Sequence, residues 1–168
     1  MKKKNRNVSI VLNSDLISKV ISELGNDNFS FILTLINDLH PADTADLLET
    51  LNSDDRKKII NIVNEKFPSE TLPSMNVPIL LDVIEEFDFN HLVRMLVELD
   101  TDDIAYVLEI CEESLRKKVL KKLPKELQKL IKKALTYDED SAGRIMQTDY
   151  VSIPVSWNIG QVLDYLRM

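Results

Sequence analysis

The chain has 168 residues, a formal net charge of −7 and 44% apolar residues, enough apolar side chains for one sizeable core. An excess of acids argues against binding to nucleic acid, which requires a basic surface. Three Gly and six Pro leave little room for a β-rich chain, and no apolar run approaches the ~20 residues of a membrane span.

Apolar side chains at three- and four-residue spacing predict helices along residues 9–135. The first helix should end at Gly25, and Pro41 fits the first turn of a later one. Three prolines within residues 68–78 restrict that stretch to short helices. The pattern predicts nine or ten helices of two to three turns, with no strand before residue 136.

One unit occurs twice, 60 residues apart and without a gap. Residues 39–60 read LHPADTADLLETLNSDDRKKII, and residues 99–120 read LDTDDIAYVLEICEESLRKKVL. Each copy is predicted to form two short helices, and Thr101 can cap the first helix of the second copy. A helix pair of this length cannot bury its own apolar face, so stacked copies must share one core. The sequence therefore predicts an all-α solenoid, a shape better suited to presenting surfaces than to enclosing a catalytic pocket.

The pattern changes after Tyr137, where YDEDSAGRIM is polar. Tyr150–Val155 is the first β-like run in the chain, and Asn158 can cap a final helix. A lone strand and helix make no core. Residues 149–168 are therefore predicted to be the beginning of another domain.

Catalytic motifs are absent from the sequence, so no enzyme is predicted: there is no P-loop, dinucleotide fingerprint, Gly-x-Ser-x-Gly or His-Glu-x-x-His. His40 and His91 are 51 residues apart and lack a Cys/His neighbourhood, which disfavours a transition-metal site. His40 is predicted to lie at a helix entrance. Cys111, the single cysteine, excludes an internal disulfide and is predicted to be a buried, inert thiol.

Charge is distributed unevenly along the second half of the chain. Residues 82–113 contain eleven acids and one base, Arg94, whereas residues 116–133 contain nine bases and one acid. One interpretation is a solvated acidic face and a solvated basic face that complement the helix dipoles. Membrane binding by the basic stripe is a weaker alternative, because its bases alternate with core-type Leu and Ile.

A sharper interpretation concerns Asp100, Asp102 and Asp103, which crowd one predicted helix start. A divalent cation or a basic partner would relieve their mutual repulsion. Oxygen-only ligands favour Mg²⁺ or Ca²⁺ over zinc. An EF-hand is excluded, because no twelve-residue loop has the required Gly and terminal Glu.

Two stretches resemble the cytosolic N domain of the MgtE family of magnesium channels and transporters. One is the LHPAD-x-A-x-LLE-x-L unit at Leu39–Leu51, with its echo at Leu99–Glu109. The other is YDEDSAGRIM at Tyr137–Met146, followed by Asp149–Val151 and the pattern at Val162–Arg167. In the family, this second stretch joins the N domain to the first of two CBS domains.

The resemblance implies a right-handed, armadillo-like superhelix of short helices over residues 9–135, after a disordered tail at 1–8. A connector at 136–148 and a truncated β/α start of a CBS domain at 149–168 would follow. In the family, Mg²⁺ between the N and CBS domains holds the pore shut, and scarcity of Mg²⁺ opens it. The implied partners are the chain's own CBS domains and membrane domain, in a homodimer on the cytoplasmic side of the membrane. The fragment itself is expected to be soluble, to insert into no membrane and to bind no nucleic acid.

The resemblance also assigns ligands. The family's acidic Mg²⁺ contacts fall on Glu70 and Asp102, and a third falls on Tyr106, which supplies no carboxylate. Asp103 and Asp100 are near enough to substitute. Because the other ligands of the family lie beyond the sequenced residues, this fragment alone is expected to bind Mg²⁺ weakly. A function of a different class is a helical-repeat scaffold that binds another protein and has no metal role.

Overall fold

The structure is a computed structural model, and it describes residues 12–138, 141–144, 146 and 151–167. Within these residues the chain forms helices and no strand, which confirms the all-α class. The predicted tail at 1–8 lies outside the described residues. The α-helices are α1 (Ser14–Gly25), α2 (Phe29–Asp38), α3 (Pro41–Thr50), α4 (Ser53–Val63), α5 (Val77–Glu85), α6 (Phe89–Val97), α7 (Thr101–Ile110), α8 (Glu113–Lys122), α9 (Lys125–Ala134) and α10 (Ile159–Leu166). A 3-10 turn spans Asn64–Lys66, and a longer one spans Ser69–Ser74 and is called the 3-10 segment below.

Polar side chains begin most of the helices by accepting hydrogen bonds from backbone N–H groups of the first turn. Five of them are asparagines: Asn13, Asn28, Asn52, Asn76 and Asn158. Asp88 begins α6 in the same way. The cap predicted at Thr101 is wrong by one residue. Thr101 is the first residue of α7, and Asp100 occupies the cap position.

The predictions for His40 and Cys111 are confirmed. His40 precedes α3, and its Nδ1 accepts the N–H of Ala42 at 3.3 Å. Cys111 is only 3% exposed. Burial raises the pKa of its thiol, so the reactive thiolate is disfavoured at neutral pH.

One hydrophobic core runs from Val20 in α1 to Ala134 in α9. α1 and α2 pack against each other and against α4, while α7 packs against α9. The 3-10 segment contacts both α3 and α7. It therefore lies between the equivalent first helices of the two repeat copies, α3 and α7, and joins the two copies into one core.

The arginine that occurs in both repeat copies caps the C-terminal end of the preceding helix. Arg56 is the fourth residue of α4 and is 5% exposed. Its Nη1 donates to the carbonyl oxygens of Leu48 at 2.8 Å and Leu51 at 3.3 Å, at the end of α3. The last carbonyls of a helix have no partner within it, so a buried helix end needs donors from elsewhere.

The same arrangement recurs twice further along the chain. Arg116, the fourth residue of α8, donates to three carbonyls at the end of α7, those of Leu108 (2.8 Å), Glu109 (2.8 Å) and Cys111 (3.1 Å). Gln128, the fourth residue of α9, donates to the carbonyl of Leu123 at 2.8 Å. Arg116 therefore does not belong to the solvated basic face that the charge pattern predicted.

The strand predicted at Tyr150–Val155 is not formed by its described residues, 151–155. A strand needs a neighbour for its backbone hydrogen bonds, and none of the described segments pairs with this one. α10 begins with a complete capping box between Asn158 and Gln161, which confirms that predicted cap. It has no buried residue, and Ile159 is 79% exposed. Among the described helices, none combines the length and apolar character that a membrane crossing requires.

Arg56→Met is expected to lower the free energy of unfolding by about 2 kcal/mol, because it leaves buried carbonyls at the end of α3 without a donor. Lys58→Met is the matched control, since Lys58 is exposed and its pair with Asp55 lies at the surface. That change should stay within about 0.5 kcal/mol. Urea unfolding measures both, and equal effects of the two substitutions would contradict the capping role of Arg56.

Candidate metal site

The four predicted ligands lie on two elements that contact each other. Asp100 precedes α7, and Asp102 and Asp103 are in its first turn. Glu70 is the second residue of the 3-10 segment, which packs against α7. The structure therefore brings these four residues, called the acidic cluster below, into one neighbourhood.

Asp103 shows that the members of the acidic cluster interact. Partial burial raises the pKa of its carboxyl, and the negative charges of Asp102, Asp100 and Glu70 raise it further. Like charges disfavour the ionised form of a neighbouring carboxyl. The cluster is thus repulsive at neutral pH, and the packing of the 3-10 segment on α7 holds it together.

Asp102 presents an unsatisfied oxygen. Its Oδ1 is shielded from solvent and accepts no hydrogen bond from any residue that the structure describes. A buried carboxylate oxygen without a donor is unfavourable, because it has lost its water and gained nothing in return. A cation with its own water molecules would satisfy this oxygen, so the donor set of the acidic cluster fits a hard divalent ion such as Mg²⁺.

The acidic cluster is nevertheless not a closed metal cage. Across the described residues, no three His, Cys, Asp or Glu side chains converge closely enough to hold an ion. Tyr106, one turn after Asp102, is 39% exposed and presents a phenol where the resemblance implies an acid. Mg²⁺ takes six ligands and commonly keeps several waters. The cluster by itself can therefore offer such an ion one or two carboxylates, with water in the other positions.

Sequence reasoning missed two contacts that tie α6 and Glu98, the residue after it, to the two 3-10 elements, one through Ser69 of the 3-10 segment and one through Glu65 of the 3-10 turn. Ser69 Oγ donates to Glu98 Oε2 at 2.7 Å, and Arg94 Nη2 lies 2.8 and 3.0 Å from the two carboxylate oxygens of Glu65. These residues line a small cavity of about 70 Å³ between the segment and α6. One signal was available in the sequence, since Arg94 is the single base among residues 82–113.

The first repeat copy lacks the acidic cluster. In the alignment of the copies, Asp100, Asp102 and Asp103 correspond to His40, Ala42 and Asp43. Of these three residues in the first copy, only Asp43 is acidic. The start of α3 is therefore an internal control for the start of α7, because the same helix of the same repeat carries one carboxylate there instead of three.

Two solved structures share the fold of this chain. The soluble part of a magnesium transporter superposes with a TM-score of 0.74 at 23% identity, covering 91% of this chain and 60% of that one. The cytosolic domain of the Mg²⁺ channel MgtE, in complex with ATP, superposes with a TM-score of 0.78 at 19% identity, covering 90% and 62%. The chain thus shares its fold with part of each of these two structures.

Sequence similarity shows the family of this chain. The model of the MgtE intracellular N domain matches residues 39–140, more than half of the chain, and the chain therefore belongs to this family. The magnesium transporter MgtE of Bacillus subtilis (strain 168) is 23% identical over 153 residues, which cover 91% of this chain. The chain spans 34% of the length of that relative.

Asp103→Asn is expected to stabilise the chain at pH 7 but not at pH 3. The raised pKa of Asp103 means that the folded state binds its proton more tightly than the unfolded chain does, so stability falls as the pH rises through that pKa. The amide side chain of Asn does not ionise, so the substitution removes this loss of stability. The gain should be about 0.5 kcal/mol, or 1–2 °C in Tm, because the group is partly solvated.

Thermal unfolding followed by circular dichroism at the two pH values measures this effect. Asp43→Asn, at the equivalent position of the first copy, is the control and should give no gain at either pH. An equal gain from Asp103→Asn at pH 3 and pH 7 would contradict the electrostatic explanation.

Proposed function

We propose that this chain is the Mg²⁺-sensing regulatory domain of an MgtE-like magnesium transporter or channel, on the cytoplasmic side of the membrane. The observation that carries the proposal is the shielded Oδ1 of Asp102, which lies in a cluster of four acids and accepts no hydrogen bond from the described part of the chain. Membership of the MgtE N-domain family and the fold shared with cytosolic parts of magnesium transporters support it.

In this proposal the acidic cluster is one half of a shared site. Glu70 and Asp102 bind the ion directly or through its waters, while Asp103 and Asp100 are near enough to take the place of the third acid. A second acidic surface, from the chain's own CBS domains, supplies the remaining ligands. Mg²⁺ between the two surfaces replaces a repulsion by an attraction, so the closed arrangement of the two domains is favoured only when the ion is bound.

The magnitude of the switch requires more than one ion. Moving a two-state equilibrium from 1:99 to 99:1 needs about 5.5 kcal/mol of differential binding. One hydrated ion on one or two partly solvated carboxylates supplies less than this, so several ions share the interface. High Mg²⁺ then holds the domains together and the pore shut, and low Mg²⁺ lets them separate.

The remaining parts of the proposal concern the architecture of the full-length protein. The helices of residues 12–135 form a right-handed superhelix, and residues 149–168 begin a CBS domain in a homodimeric transporter. The exposed apolar side chains of Ile159, Leu163 and Leu166 on α10 support the second statement, because such a face requires cover from further structure.

The decisive experiment is a Mg²⁺ titration of the chain, followed through amide chemical shifts in NMR spectra. We expect shifts at the start of α7 and at Glu70, with a midpoint in the millimolar range, equivalent to about 4 kcal/mol. Asp102→Asn should raise the midpoint several-fold, because amide oxygen is a poorer ligand than carboxylate for a hard cation. Asp43→Asn should leave it unchanged, and Tyr106→Asp should lower it.

Two outcomes would overturn the proposal. If Mg²⁺ shifts no amide near the acidic cluster, or if Asp102→Asn titrates like the wild-type chain, the acids are solvated helix-start residues. The helical-repeat scaffold without a metal role then takes the place of the sensor. A micromolar midpoint would show that the site is complete within this chain and is not shared between domains.

A further inference from the structure

Arg144 lies in the stretch predicted to be a connector, yet it is buried, with 6% exposure. Its Nη2 donates to the carboxylate of Glu109 and, at 3.4 Å, to the carbonyl of Ala105, both on α7. Its Nη1 is shielded from solvent and has no hydrogen-bond partner among the described residues. A buried, ion-paired guanidinium is a packing contact of a folded domain, and a free linker does not provide one.

The residues just before Arg144 form a compact local structure that is consistent with its burial. A Cβ on Gly143 would lie 2.9 Å from the ring carbon Cδ1 of Tyr137, so a larger residue would displace the ring. The backbone N–H and the Oγ of Ser141 both donate to the carbonyl of Asp138, at 2.9 and 2.7 Å. The described part of the YDEDSAGRIM stretch therefore folds back on itself and directs Arg144 towards α7. The proposed ion site uses none of these contacts.

The repeat shows that the glutamate on α7 has a counterpart. Glu109 is equivalent to Glu49 on α3, whose Oε1 accepts the backbone N–H of Asn76 at 2.6 Å. Asn76 is the residue that begins α5. In both copies, then, the equivalent glutamate accepts a hydrogen bond from a later segment of the chain. The donor lies 27 residues after the glutamate in the first copy and 35 residues after it in the second. In the first copy the segment it holds leads into the next helix of the same domain.

We propose that Glu109 and Arg144 form a fixed attachment that makes the connector, up to Arg144, part of the helical domain. The connector is then fixed at Arg144 to α7, whose first turn carries part of the acidic cluster. Any change of direction between the helical domain and the structure that follows takes place after Arg144 and not in the turn after α9. The attachment does not depend on Mg²⁺, so it stands or falls separately from the proposed sensor function.

Trypsin cleavage after Arg144 tests this attachment, with the 1–144 fragment identified by mass spectrometry. In the wild-type chain, burial and the ion pair should protect the bond. Glu109→Gln should speed the appearance of the fragment about tenfold or more, because a lost charge-assisted hydrogen bond favours local opening. Glu49→Gln is the matched control. It removes the equivalent carboxylate from α3 and should lower Tm while leaving the cleavage rate at Arg144 near that of the wild-type chain.

A nitroxide spin label on Ala142→Cys, in a Cys111→Ala background, gives a second measurement, because Ala142 is exposed beside the attachment. Its spectrum should show an immobilised label, Arg144→Gln should sharpen the lines, and Arg144→Lys should keep part of the immobilisation. If Glu109→Gln does not fold, the spin-label comparison with Arg144→Gln still tests the attachment.

Three results would overturn the attachment. The first is an unchanged cleavage rate in Glu109→Gln. The second is a rate raised as much by Glu49→Gln as by Glu109→Gln, which would indicate general destabilisation. The third is a label that is equally mobile with and without Arg144.

Discussion

The ends of short helices set the main constraint on this molecule. A helix of ten residues leaves four of its carbonyl groups without an intrahelical partner, a large share of its backbone. When such helices stack into one core, these ends are buried against the next helix and still need donors. Arg56, Arg116 and Gln128 provide them from the same position, the fourth residue of the following helix. A helix and its successor are therefore one structural unit, which is why the pair and not the single helix is what repeats.

Stacking of these units also explains how four acids come to share one neighbourhood. The 3-10 segment fills the space between α3 and α7, and its contacts with both place Glu70 beside the start of α7. Apolar burial and the Ser69–Glu98 hydrogen bond fix that placement. The repulsion felt by Asp103 is small beside the free energy of core burial, so the fold tolerates it. Such a tolerated repulsion is what a cation or a positively charged surface can relieve.

The two repeat copies divide into shared and different positions. The shared glutamate and arginine, represented in the first copy by Glu49 and Arg56, make contacts that hold neighbouring backbone segments. Among the positions that differ are those at the helix start, where Ala42 in one copy becomes Asp102 in the other. The change of charge at the start of α7 leaves the contacts of the repeated glutamate and arginine in place.

The sequence by itself determined the helices, the cap at Asn158, the burial of Cys111 and the acids at the start of α7. Each of these follows from spacing and chemistry within a few residues. Only the tertiary structure decided that Arg116 turns inward, that Glu70 faces Asp103, that Arg144 packs on α7 and that residues 151–155 form no strand. The contacts made by Glu70 and Arg144 join residues more than 30 positions apart, and no described segment pairs with the residues at 151–155. A local pattern carries no information about which distant segment will lie opposite it, because the packing of the shared core selects that neighbour.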